Sequence, residues 1–246
     1  MAKEGVERAQ TYSSPAIRER RKRILEETRR TIAEEGLLAL SMNEIGRRAG
    51  VAKRTLYNAF QTREQMVAMA IREYFEDFVQ HIPFENPPGT LMRNVERMMV
   101  VLNRNKKIRN YIRAIMSLYF SPQGDVDIWS IMHVMALHQN LEYIRVLHAK
   151  RQLQPWVDVD QLAADVVRFE YATINDWAHG RIPDEDAVRR LLECYLTLMA
   201  GATRGTARKE IETLLLRLHQ EGMAALPQMK RIPVPTATPI RVPEKG

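Results

Sequence analysis

Residues 41–65 pack three helix starts into 25 positions, and that spacing constrains the fold more than any other feature. Ser41-Met42-Asn43-Glu44 reads as a capping box, in which Ser41 accepts from the Glu44 N–H and Glu44 reaches back. The short helix that follows ends at Gly50. A second short helix, Lys53–Phe60, lies between Gly50-Val51 and Gln61-Thr62. Thr62-Arg63-Glu64-Gln65 is another capping box and opens a long helix to about Gln80. Two short helices around a glycine turn form a helix-turn-helix, and the second is sized and charged for a major groove.

The remaining pattern is helical as well. Ile17, Ile24, Leu25, Thr28 and Ile32 share one face of a helix stopped by Gly36, behind a polar lead, 1–16, that reads as disordered. Pro83, Pro87, Pro88 and Gly89 break the chain after the long helix. Beyond them, helices are expected around Leu91–Leu102, Ile108–Tyr119, Ile128–Leu153 (ended by Pro155), 159–179, 184–200 with Asp184 as N-cap, and Ile211 to near Gly222. The fold class is therefore all-α. The expected division is a helix-turn-helix domain with its connecting helix at 17–80 and a helical body at 84–226. A tail, 227–246, with five prolines in twenty residues, is expected to be disordered or extended.

Charge follows the same division. Residues 1–65 hold 14 Lys/Arg against 9 Asp/Glu, residues 66–226 hold 19 against 20, and the tail holds 4 against 1. A basic end on a neutral body suits one module that meets a polyanion and another with a different task, although basic termini also aid solubility. A single cysteine, Cys194, excludes an internal disulfide framework and a thiolate metal cluster. No apolar run reaches the ~18 residues of a membrane span, and no signal peptide is recognisable, so a cytoplasmic location without membrane association is expected.

Lys53 and Arg54 open the second short helix, the end that meets base edges, where an arginine can chelate guanine O6 and N7. Thr55, Tyr57 and Asn58 supply hydroxyl and amide groups for phosphates. Ser41 and Arg63 stand at helix N-termini, where backbone N–H groups also attract an anion. Singly, each of these is ordinary solvated surface; together, at this spacing, they form a DNA-binding set.

The run from Ser41 to Phe60 resembles the DNA-binding motif of TetR-family transcriptional regulators, with Ala49, Gly50, Val51, Thr55, Leu56 and Tyr57 in register. The resemblance covers about residues 18–65 and implies a homodimer bound to a double-stranded DNA operator. It also implies a repressor released by a small-molecule effector held in the helical body. Three positions depart from the family pattern. Ala52 replaces the usual Ser or Thr cap, Gly46 stands where Ala is common and is expected to loosen its helix, and Ala59 replaces a His or Tyr.

The helices at 159–179 and 184–200 hold the positions from which family members dimerise. Phe169, Trp177, Leu192 and Tyr195 are the candidate seam, with intramolecular core as the alternative for most of them. Tyr119, Trp129, His133, His138 and Asn175 are candidate ligand-lining residues, although a core histidine is an equal reading of each imidazole. The i,i+5 spacing of His133 and His138 suits no metal, and no cofactor motif is present. Without a nucleophile elbow, phosphate loop or metal motif, an enzyme is not expected. The competing class is a helical interaction or architectural protein that binds nucleic acid non-specifically through its basic ends.

Overall fold

The computed structural model describes residues 14–122 and 126–226; the tail and most of the lead lie outside them. Among the described residues the chain is ten α-helices with two short 3-10 turns and no strand. The first helix, α1, spans Pro15–Glu35 and so begins inside the segment expected to be disordered. Ser14 explains the early start: its Oγ accepts from the Ile17 N–H at 3.3 Å. Pro15 at the first helical position brings a φ already suited to the helix. After Gly36 and a 3-10 turn at Leu37–Ala39 come α2 (Met42–Ala49), α3 (Lys53–Phe60) and α4 (Arg63–Gln80).

Ile24, Leu25 and Ile32 of α1, Ile45 and Ala49 of α2, and Leu56 and Phe60 of α3 are all buried. The turn between α2 and α3 is fixed by Gly50 at φ 64° and by the Val51 N–H, which donates to the Gly46 carbonyl at 2.9 Å. Gly46 has a different role from the one expected of it. A Cβ at that position would stand 3.1 Å from the Val51 carbonyl oxygen and 3.3 Å from the Leu56 side chain. Its lack of a side chain therefore lets α3 lie close against α2.

The body consists of α5 (Leu91–Lys106), α6 (Arg109–Tyr119), α7 (Val126–Ala149), α8 (Val159–Ala178), α9 (Ala187–Ala202) and α10 (Gly205–Glu221). Helix α8 packs against α6, α7 and α9, while α9 also meets α5 and α10. The N-terminal helices join this body because α1 packs on α6 and α4 on α7, so one apolar core runs through both. The proline-rich segment before α5 is clamped from below. The buried Glu96 carboxylate accepts from the Glu85 N–H (2.8 Å), the Asn86 N–H (3.1 Å) and Asn86 Nδ2 (3.0 Å).

Three expectations for the body are corrected. Helix α7 ends at Ala149, before Pro155, because Arg151 takes φ 55° and the Gln152 N–H turns back to the Leu147 carbonyl at 2.9 Å. Leu153 then forms an isolated bridge with Thr203. Asp184 is not the N-cap of α9, which starts at Ala187; its carboxylate instead accepts from Trp177 Nε1 at 2.8 Å and pairs with Arg109 at 3.1 Å. The buried indole N–H is thereby satisfied, as a buried tryptophan requires.

The third correction concerns the seam. Trp177, Leu192 and Tyr195 are buried within the chain's own core, whereas Phe169 is 52% exposed. Val188, Leu191, Leu192, Tyr195, Leu196 and Met199 form the inward stripe of α9, at the i, i+3, i+4, i+7 spacing of one helix face. A charge at Leu192 or Tyr195 would thus disrupt folding before it could affect association. Among the described residues no helix is long and apolar enough to cross a membrane.

Candidate nucleic-acid interface

Helix α2 is anchored at both ends. Ser41 Oγ accepts from the Glu44 N–H at 3.2 Å, as the capping box requires. The reciprocal half of the box is replaced, because the Glu44 carboxylate accepts from Arg47 Nη2 at 2.6 Å and from Arg48 Nε at 2.6 Å. Arg48 also reaches α1, donating to Thr31 Oγ1 at 3.2 Å and to the Glu35 carboxylate. Hydrogen bonds from Arg47 and Arg48 hold the Glu44 carboxyl down at about 2.

Helix α3 is placed by its apolar side. Leu56 and Phe60 are buried, which turns Lys53, Arg54, Tyr57 and Asn58 outward and leaves Thr55 half-buried at the edge. The Lys53 Nζ lies 5.7 Å from the centre of the Tyr57 ring, so the ammonium and the phenol share one side of the helix. Arg54 has no partner among the described residues and is free to meet one from outside. As Ala52 predicts, the helix starts without a side-chain cap. Thr62 caps α4 by accepting from the Gln65 N–H at 3.1 Å, and Arg63, in the first turn, holds the Glu64 carboxylate at 2.8 Å. Ser41 is exposed at the start of α2. The seven residues picked from the sequence thus lie at the N-termini of α2 and α4 and on the outer side of α3.

The body candidates separate into two groups. His133, Tyr119 and Trp129 come together: the Tyr119 hydroxyl meets His133 Nδ1 at 2.9 Å, and Trp129 stacks on the imidazole at 4.6 Å and 11°. Burial, with nearby Arg168 adding to it, holds the His133 pKa below its usual value. His138 and Asn175 do not join them. His138 is exposed because five residues turn it well away from His133, and Asn175 is half-buried, with its carbonyl capping His179 at 3.0 Å.

Sequence reading missed two features. One is a small, partly enclosed cavity of about 40 Å³ lined by Phe75 and Val79 of α4, Arg97 and Asn105 of α5, Met116 of α6, Met132 and Gln139 of α7, and Glu170 of α8. Arg97 and Glu170 form a two-pronged buried pair at 3.0 and 3.1 Å, and Asn140 Oδ1 accepts from Arg97 at 3.1 Å. The partners stand 73 residues apart, so no local pattern announces them. The other is an open groove of about 890 Å³ across α8, α9 and α10, floored by Phe169, Cys194, Leu198, Leu215 and Leu216 and rimmed by Arg189, Arg190 and Glu212. The adjacent leucines of α10 are its signal in the sequence.

Residues 24–70 match the family described as "Bacterial regulatory proteins, tetR family". Over 93 residues the chain is 38% identical to the HTH-type transcriptional repressor KstR of Rhodococcus jostii (strain RHA1), a match covering 37% of this chain and 42% of KstR. The matched stretch is thus less than half of that relative. The fold is similar to that of TylP, a TetR regulator from Streptomyces fradiae, with a TM-score of 0.58 and 18% identity over 85% of this chain and all of the other. It is also similar to Thermus thermophilus FadR, a TetR-family repressor in complex with lauroyl-CoA, with a TM-score of 0.50 and 14% identity over 87% and 98% of the two chains.

The Glu44 cluster makes a pH prediction. Its folded pKa of about 2 lies below the ordinary 4.5, so its contribution to stability is present above 4.5 and is lost as pH falls towards 2. Protection factors of the α2 amides, each taken against the intrinsic exchange rate at the same pH, are expected to hold down to about pH 4.5 and to fall below it. In Glu44→Gln that acid-dependent component should vanish; an identical acid profile in the variant would show that the cluster contributes nothing.

Proposed function

Since the chain belongs, through its N-terminal domain, to the TetR family of bacterial transcriptional regulators, we propose that it represses transcription from a palindromic DNA operator and is released by a small, largely apolar ligand. The observation that carries the reading is the outer side of α3, where Lys53, Arg54, Tyr57 and Asn58 stand exposed on a helix pinned by Leu56 and Phe60. An α-helix of this size enters a major groove, and the unpaired Arg54 guanidinium can take guanine O6 and N7 together. Tyr57, Asn58, Thr55 and Arg63, with the N-terminal N–H groups of α2 and α4, then hold phosphates and set the register.

A single helix-turn-helix reads one half-site, so a palindrome requires two copies. The groove on α8–α10 is the surface for this. It exposes Phe169 and Leu216 (56%), and its Arg189, Arg190, Glu193 and Glu212 allow opposite charges to meet across a two-fold axis. This face replaces the seam of Trp177, Leu192 and Tyr195.

Release follows from the position of α4. It starts directly after α3 and carries Phe75 and Val79 to the wall of the small cavity. A ligand that widens the cavity displaces α4 and with it the spacing of the two recognition helices. A tenfold loss of operator affinity needs a coupling of about 1.4 kcal/mol, and the operator then weakens ligand binding by the same factor. The complex of the similarly folded FadR with lauroyl-CoA supports a ligand that has an apolar chain.

Two experiments test the reading. In DNA-binding titrations, Arg54→Ala and Lys53→Ala are expected to reduce discrimination between operator and random duplex by about 1–3 kcal/mol each. Tyr57→Phe and Arg63→Ala are expected to weaken both alike, and equal behaviour of all four variants would contradict the division of roles. In light scattering, the double variant Phe169→Glu/Leu216→Glu is expected to be a monomer with unchanged helicity and little operator affinity. A dimeric double variant would place the interface elsewhere.

A further inference from the structure

The cavity wall defines what it can hold. Arg97 and Glu170 are its only formally charged side chains, and they neutralise each other bidentately, so the wall has no net charge. Arg97 is 5% exposed and Glu170 4%, which keeps water from screening any charge added beside them. An anionic guest would either displace Glu170 from its partner or remain uncompensated in a low-dielectric interior, and both are costly. A cationic guest faces the same penalty with the sign reversed.

The polar inventory is nevertheless incomplete. The Nε–H of Arg97 is buried and has no partner, although both terminal nitrogens of the same guanidinium are engaged. Asn105 Oδ1, eight residues further along α5, is buried and unpartnered as well. The Arg97 donor calls for a neutral acceptor. The rest of the lining is mostly apolar and includes Met116, Met132 and Met135, unbranched side chains able to swing aside and enlarge a space of about 40 Å³.

Resting on the reading of this body as an effector domain, we infer that the cavity selects uncharged apolar molecules carrying a carbonyl group, which Arg97 Nε–H binds, and that Glu170 excludes carboxylates by holding the compensating charge. Glu170 is thus the specificity-determining residue and Arg97 the anchor.

The test uses three probes of one chain length, 2-hexanone, hexanoate and hexane, titrated into the full chain at about pH 7.5, where the acid is ionised. Calorimetry reports binding, and operator release is scored separately. The expected order is ketone tightest, at least tenfold ahead of hexane, with hexanoate weakest. In Glu170→Gln the preference between ketone and hexanoate should shift by at least tenfold towards the acid. Should that variant fail to fold, the wild-type order still decides. Wild-type preference for hexanoate, parity of ketone and hexane, or no binding of any probe would overturn the inference. Hexanoate that binds best and releases the operator would sink the ligand class while sparing the effector reading. A ketone that binds as expected but never releases the operator would do the reverse.

Discussion

The outer surface of α3, proposed to meet DNA, depends on the burial of Leu56 and Phe60. Helix α3 has eight residues and no side-chain cap, far short of the ~12–15 residues at which an isolated helix becomes even marginal in water. It is a helix because its apolar side is fixed against α2 and α4, with the Arg21 guanidinium of α1 over the Phe60 ring. The same contacts leave Lys53, Arg54, Tyr57 and Asn58 on the outside. Gly46 permits the close approach, and the Arg48 cluster fixes α2 to α1, so the recognition surface follows from the packing beneath it.

The same logic relates the two domains. Helix α4 belongs to both: its first turn, capped by Thr62, follows the recognition helix, and its last turns meet the cavity through Phe75 and Val79. A packed core responds to a guest by moving an element, since interiors have little free volume to absorb one. Near the cavity, the buried Arg97–Glu170 pair keeps two charges in an apolar bundle at the cost of desolvation. Breaking it from one side would cost about 3–5 kcal/mol, so the pair constrains both the fold and the guest.

Features set by local chemistry were legible in the sequence. Ser41 and Thr62 cap the helices they were read to cap, because a cap needs only its own turn. The outward set on α3 followed from the positions of Leu56 and Phe60. Asp184 misled because its oxygen is claimed by Trp177 and Arg109, which only the tertiary fold brings near. Leu192 and Tyr195 were recognisable as apolar, but a helix with apolar residues on two sides does not declare which side faces its own core. His133 and His138 are alike in the sequence, yet only His133 meets Tyr119. The Arg97–Glu170 pair and the missing Cβ of Gly46 are long-range or steric facts with no local signature.

On the proposed function, two copies of the α3 surface read a defined DNA sequence. Selection of bound molecules from a random duplex library by the wild-type protein tests it most directly. Recovery of an inverted repeat whose half-sites are separated by one helical turn, about 34–36 Å, or a multiple of it is expected. A recovered pool without any preferred sequence, bound with an affinity set by salt alone, would contradict it.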